Sequence, residues 1–114
     1  MHYNKGWKFS LDGTLIAYAA GRIDGPSASD FKRSMQAVLG DEKTVVVDCH
    51  EVTEVSSAGL SAFLMIAREL QDQGVKFALC CMAPRVRVVF EMTGFDKIIP
   101  VHATREGALG LLRD

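Results

Sequence analysis

Three consecutive valines, Val45-Val46-Val47, stand near the head of TVVVDCHEVTEVSSAGL, residues 44–60. β-branched side chains without polar alternation leave a strand no face to turn toward water, so the run predicts a strand buried on both sides. A short acidic loop is expected after Asp48, and Ser56 or Ser57 then caps an amphipathic helix. The open end of such a helix presents unpaired N–H groups and the positive pole of its dipole. A hydroxyl held there suits an added phosphate, because the same amides can receive the new negative charge. The segment reads as a switch rather than an active site.

The remaining chain supplies partners for that strand. Asp12-Gly13 is a hairpin signal between strand-like runs at 8–11 and 14–20. Asp24-Gly25-Pro26-Ser27 reads as a loop. Ser27 or Ser29 then caps a helix whose Phe31, Met35, Val38 and Leu39 recur at helical spacing, stopped by Gly40. The helix opened by the Ser56-Ser57 pair runs to about residue 73, with Leu60, Phe63, Leu64, Ala67 and Leu70 as its buried stripe and Gly74 as its stop. A strand over 75–81, a helix over 85–92 broken by Gly94, a short strand over 98–101 and a last helix from a Thr104 cap to Leu112 complete the reading. Strands alternating with helices imply an α/β domain with a mostly parallel or mixed sheet, because parallel neighbours need a crossover. The hairpin adds an antiparallel pair at one side. No repeat or linker divides the chain, so residues 1–114 are read as one domain.

Charge narrows the partners. Thirteen basic and fourteen acidic residues give a net charge of −1, which provides no electrostatic footprint for nucleic acid. The start, Met1-His2-Tyr3-Asn4-Lys5, has no apolar core of a signal peptide, and the longest apolar run, 77–83, is too short to span a bilayer. Three cysteines in neither C-x-x-C nor zinc spacing suit reduced thiols in a cytoplasmic protein, with no metal or cofactor expected. Cys80 and Cys81 are adjacent in the expected strand, so their side chains should point to opposite faces.

Strand, loop, Ser56-Ser57-Ala58-Gly59-Leu60 and apolar helix together resemble the STAS domain of bacterial anti-sigma factor antagonists. Gly21-Arg22-Ile23-Asp24 is similar to the turn that ends that family's early strand, and Asp48 stands where an aspartate closes its central strand. Met92-Thr93-Gly94-Phe95-Asp96-Lys97-Ile98-Ile99-Pro100-Val101 with Glu106-Gly107-Ala108-Leu109 resembles the carboxy-terminal signature. The likeness spans about residues 7–112 and implies a SpoIIAA-like mixed sheet of four to five strands with about four helices packed on it. Where the family motif reads Asp-Ser-Ser-Gly, this chain has Ser56 for the aspartate, Ser57 for the phosphoacceptor and Ala58 for the second serine.

The resemblance implies a non-enzymatic regulator that binds an anti-sigma factor, a serine kinase of the GHKL ATPase type, and so frees a sigma factor for transcription. Phosphorylation of Ser57 would release it, and a PP2C-type phosphatase would reset it. Asp24, Ser56, Gly59, Ser61 and Met65 would frame the contact, Gly59 by letting a partner approach the backbone. On the helix over 57–73, Ser61, Met65, Arg68 and Asp72 share the face beside Ser57. Ile66, Met82, Met92 and Phe95 are further candidates for an apolar docking surface. Two alternatives stand beside this reading: a STAS subunit of a stressosome-like scaffold or lipid-transport complex, and a small thiol enzyme using Cys49 or Cys81. Cys49-His50 is a poor nucleophile–base pair, because successive strand residues point apart.

Overall fold

The computed structural model describes residues 8–11, 14–38 and 42–112. Five strands, β1 (Lys8–Leu11), β2 (Thr14–Ile23), β3 (Thr44–Val55), β4 (Lys76–Cys80) and β5 (Val101–His102), lie side by side in sequence order. β1 pairs antiparallel with β2, and every later pairing is parallel. Helices α1 (Gly25–Val38), α2 (Ser57–Asp72), α3 (Pro84–Thr93) and α4 (Arg105–Leu112) fill the connections, with a 3-10 turn over Phe95–Lys97. The mixed sheet with its antiparallel edge is the arrangement expected from the residue pattern. The Asp12-Gly13 turn, Leu39 and Gly40 lie outside the described residues.

The valine run explains the layers. Val45, Val47 and Cys49 point into the larger core beside Phe31 and Met35 of α1, Leu60, Phe63, Ile66 and Leu70 of α2, and Val86 and Phe90 of α3. Val46 points the other way and packs with Ala78, Cys80 and Ala108 under α4. Phe63 is the hub of the larger layer: its ring centroid lies 4.7 Å from that of Phe31 and 5.5 Å from that of Phe90. Such tilted and edge-to-face aromatic pairs bury large apolar areas while fixing the relative placement of three helices.

Several boundaries differ from expectation. No acidic loop follows Asp48, because β3 continues to Val55. Val52 and Val55 are buried while Glu51, Thr53 and Glu54 are exposed; the valines are three residues apart, and register shifts against β2 bring both to the core while the acidic residues face water. It is held by β2, ten residues long, which runs past residue 20 to Ile23 through register shifts near Ala20 and Gly21. The strand expected over 98–101 forms only at Val101–His102. Within α2, Ile66 is 2% exposed and sits in the core, whereas Leu64 and Ala67 are half-buried. Gly94, with φ of 78°, ends α3 as a left-handed cap, and Thr104 Oγ1 caps α4 by accepting from Gly107 N at 2.9 Å.

Candidate functional site

The two serines before α2 divide their labour. Ser56 is the N-cap: its extended backbone leads into the helix and its Oγ accepts from Gly59 N at 3.3 Å. Ser57 is the first helical residue and is exposed. The side-chain cap is therefore supplied by Ser56 and does not use the Ser57 hydroxyl, which is left at the helix mouth beside the positive end of the dipole.

The mouth is pinned to the sheet by backbone chemistry. Ser56 N donates to Ile23 O at 3.0 Å, joining the ends of β2 and β3. A Cβ at Gly59 would lie 2.1 Å from that same carbonyl oxygen and 3.0 Å from Val55 Cγ1. Gly59 is buried, so its missing side chain admits the Ile23 carbonyl rather than an external partner. This corrects the expectation that the glycine opens the backbone outward.

Asp24 follows Ile23 and caps α1, a task expected of Ser27 or Ser29. Its Oδ1 accepts from Ser27 N at 3.3 Å, and Ser27 Oγ in turn accepts from Asp24 N at 3.0 Å. This reciprocal pair satisfies two first-turn donors and gives Asp24 a structural task at the edge of the candidate surface. Arg22, which the motif reading did not single out as a contact residue, bridges Asp24 Oδ2 and Glu54 Oε1, each at 3.4 Å. All three side chains keep contact with water, so these pairs organise the rim more than they stabilise it.

Along α2, Ser61, Met65, Arg68 and Asp72 are all exposed, with Met65 at 47%. They form a continuous outer stripe that begins at Ser57. Ile66 lies in the core, and Met82 and Phe95 pack against it, so these three drop out of the apolar docking surface. Met92 is 81% exposed.

A second polar cluster lies under α4. Arg105 Nη2 donates to Asp48 Oδ2 at 3.0 Å and to Tyr18 Oη at 2.7 Å, while His50 N and Nδ1 lie 3.0 and 2.7 Å from Asp48 Oδ1. Burial alone would raise the Asp48 pKa; hydrogen bonds from the His50 backbone and ring and from Arg105 outweigh it and hold the carboxyl below its ordinary value. The Asp48 bond raises the pKa of Arg105 in return. Sequence reasoning placed Asp48 but missed Arg105 and Tyr18, because contacts spanning 57 and 87 residues leave no local signal.

The cysteines oppose a Cys49–His50 catalytic pair. Cys49 is fully buried and its thiol is pushed well above the ordinary value, first by desolvation. His50 lies more than half exposed and is engaged with Asp48. Cys80 and Cys81 do not point apart as expected: Cys81 turns out of strand geometry with φ of 67°, and the two Sγ atoms come to 3.4 Å.

The STAS domain family model matches residues 10–108, nearly the whole of this fold. The chain belongs to the STAS domain family. BtrV of Bordetella bronchiseptica, which is named as an anti-sigma factor antagonist, is 36% identical over 99 residues, covering 86% of this chain and 85% of BtrV. An anti-sigma factor antagonist from Mycobacterium paratuberculosis has a crystal structure that matches with a TM-score of 0.85 at 26% identity, covering 96% of this chain and 94% of that one. SpoIIAA of Bacillus in its phosphorylated form shares the fold at a TM-score of 0.65 and 19% identity, covering 93% and 97% of the two chains. Among the described residues of this STAS domain, no helix is long and apolar enough to cross a membrane.

Proposed function

We propose that this STAS domain is an anti-sigma factor antagonist that docks through the mouth and outer face of α2. Its partner is an anti-sigma factor with serine kinase activity of the GHKL type, and its switch is phosphorylation of Ser57. The carrying observation is the separation of roles at the helix start: Ser56 caps, and the exposed Ser57 hydroxyl is left over. Phosphorylation there would add charge without removing the cap. Asp24 and Ser56 would flank the contact, Ser61 and Met65 would extend it along α2, and Gly59 would hold the whole mouth against Ile23.

Local electrostatics support a phosphate at this position. A phosphoserine carries about −1.5 to −2 charges at neutral pH, which the first-turn amides and dipole of α2 attract. The acidic neighbours oppose it weakly, since Glu54 is paired with Arg22 and Asp48 with Arg105. The added charge therefore alters docking more than folding. In this reading the chain is the kinase's substrate and binding partner, a PP2C-type phosphatase restores the docking form, and the chain performs no catalysis itself.

The test combines the purified chain with a GHKL-type anti-sigma factor kinase from the same organism and ATP, followed by phosphosite mapping and pull-down. Phosphate on Ser57, retained binding by Ser57→Ala and lost binding by Ser57→Asp are expected. Phosphate on Ser56 alone, or undiminished binding by Ser57→Asp, would refute the assignment.

A further inference from the structure

Beneath α4, a single rung of the sheet carries unusual chemistry. Register sets Tyr18 of β2 beside Asp48 of β3, Asp48 beside Cys80 of β4, and Cys80 beside His102 of β5. Partnered residues on neighbouring strands share a face, so this row lies on the side of the sheet opposite α2. Cys81 should point away from it. Instead it is the only non-glycine residue with positive φ among the described residues, at 67°, and its Sγ turns back to 3.4 Å from that of Cys80. A side chain in this region is strained, and where glycine would sit without penalty the chain has a thiol.

The ligand atoms of Asp48, Cys80 and Cys81 all lie within 4.8 Å of one another. With Zn–S near about 2.3 Å and Zn–O near about 2.0 Å, a tetrahedral centre separates two sulfurs by about 3.8 Å and a sulfur from an oxygen by about 3.5 Å. Opening the sulfur pair from 3.4 Å by about 0.4 Å and drawing the carboxylate in by up to about 1.3 Å would fit the cluster to an ion of that size. We propose that Asp48, Cys80 and Cys81 form a binding site for a thiophilic divalent cation of the zinc class, independent of the Ser57 surface.

The surroundings suit such an ion. Asp48 Oδ1 is occupied by His50 N and Nδ1, whereas Oδ2 accepts from Arg105 at 3.0 Å and keeps a further lone pair. These partners fix the carboxylate as outer hydrogen bonds fix metal ligands elsewhere. Two thiolates and one carboxylate carry three negative charges, and a divalent ion with Arg105 supplies three positive ones, so the loaded cluster is neutral where it is buried. Loading releases two thiol protons, one from each sulfur as its electron pair turns to the metal. Two sulfurs and one oxygen select Zn2+, Cd2+ or Co2+ over Mg2+ and Ca2+, which demand oxygen ligands. Cys81 is only part-buried, while Asp48 and Cys80 are buried. The ion therefore enters past Cys81, and the fourth position is left to solvent there.

The test uses the reduced full chain. Zn2+ affinity is measured against a chromophoric chelator, and Co2+ serves as the spectroscopic probe. One equivalent of Co2+ should develop thiolate-to-metal charge-transfer absorption. Cys81→Gly, which suits the left-handed backbone and should fold, is expected to lose that absorption. His50→Ala, a half-exposed change to the outer hydrogen bonding, should weaken Zn2+ binding by about 10–100-fold. Equal Zn2+ binding by the wild type and Cys81→Gly, or a Co2+ complex without thiolate absorption, would overturn the proposal.

Discussion

Replacing Gly59 with alanine sets two physical effects against each other with opposite signs. Helix propensity favours the change by up to about 1 kcal/mol, since glycine is a poor helix former. Packing opposes it, because the new Cβ would lie 2.1 Å from Ile23 O and 2.9 Å from Ile23 C. A Cβ is essentially never found closer than 3.0 Å to a backbone atom, so the start of α2 must retreat by about 0.9 Å. The obstacle is backbone and cannot rotate aside. If the helix start withdraws as a unit, the 3.0 Å bond from Ser56 N to the same carbonyl is stretched beyond useful range. A lost buried hydrogen bond costs about 1 kcal/mol, and overpacking costs about 1–3 kcal/mol. After subtracting the propensity gain, Gly59→Ala should destabilise by about 1–3 kcal/mol. For a domain of this length that lowers the thermal midpoint by about 5–15 °C. Urea unfolding with an unchanged m-value provides the stability measure, and calorimetry provides the midpoint. An unchanged or raised midpoint would show that the Ile23 contact does not position α2.

The paired serines should separate cleanly in urea denaturation: Ser56→Ala costs about 0.5–1 kcal/mol through the lost cap, while Ser57→Ala stays within about 0.5 kcal/mol of wild type. Asp48→Asn should cost about 2–3 kcal/mol, below the range for a fully buried pair because Arg105 keeps a third of its side chain in water. The pH sign is fixed by the lowered Asp48 pKa. Its stabilisation is fully present above the ordinary carboxylate value of about 3.9 and is lost as pH falls through the lower folded value, so acid titration should find a flatter stability slope there in Asp48→Asn. Met65→Ala should leave the melting curve unchanged yet weaken anti-sigma factor binding by more than about 1 kcal/mol in calorimetric titration. Unaltered affinity would remove Met65 from the docking face.

Local physics made much of the architecture legible. The valine run marked the strand covered on both sides, and the spacing of Leu60, Phe63 and Leu70 marked the inner face of α2. Gly94 and Thr104 announced a helix end and a helix start through their own backbone and hydroxyl chemistry. The stretch after Asp48 misled because Glu51 and Glu54 suggested a loop. Val52 and Val55, three residues apart, display no strand period; only bulged pairing with a long β2 brings both to the core.

What the residues alone determined is the order of strands and helices and the presence of a serine pair at the mouth of α2, since period, capping and turn chemistry act over a few neighbours. Tertiary structure decided which serine caps and which is exposed, why Gly59 must lack a side chain, and how Arg105 reaches Asp48 and Tyr18. It also turned Cys81 beside Cys80. These outcomes depend on groups that only the folded sheet brings within contact distance, and such contacts have no period for the linear chain to display.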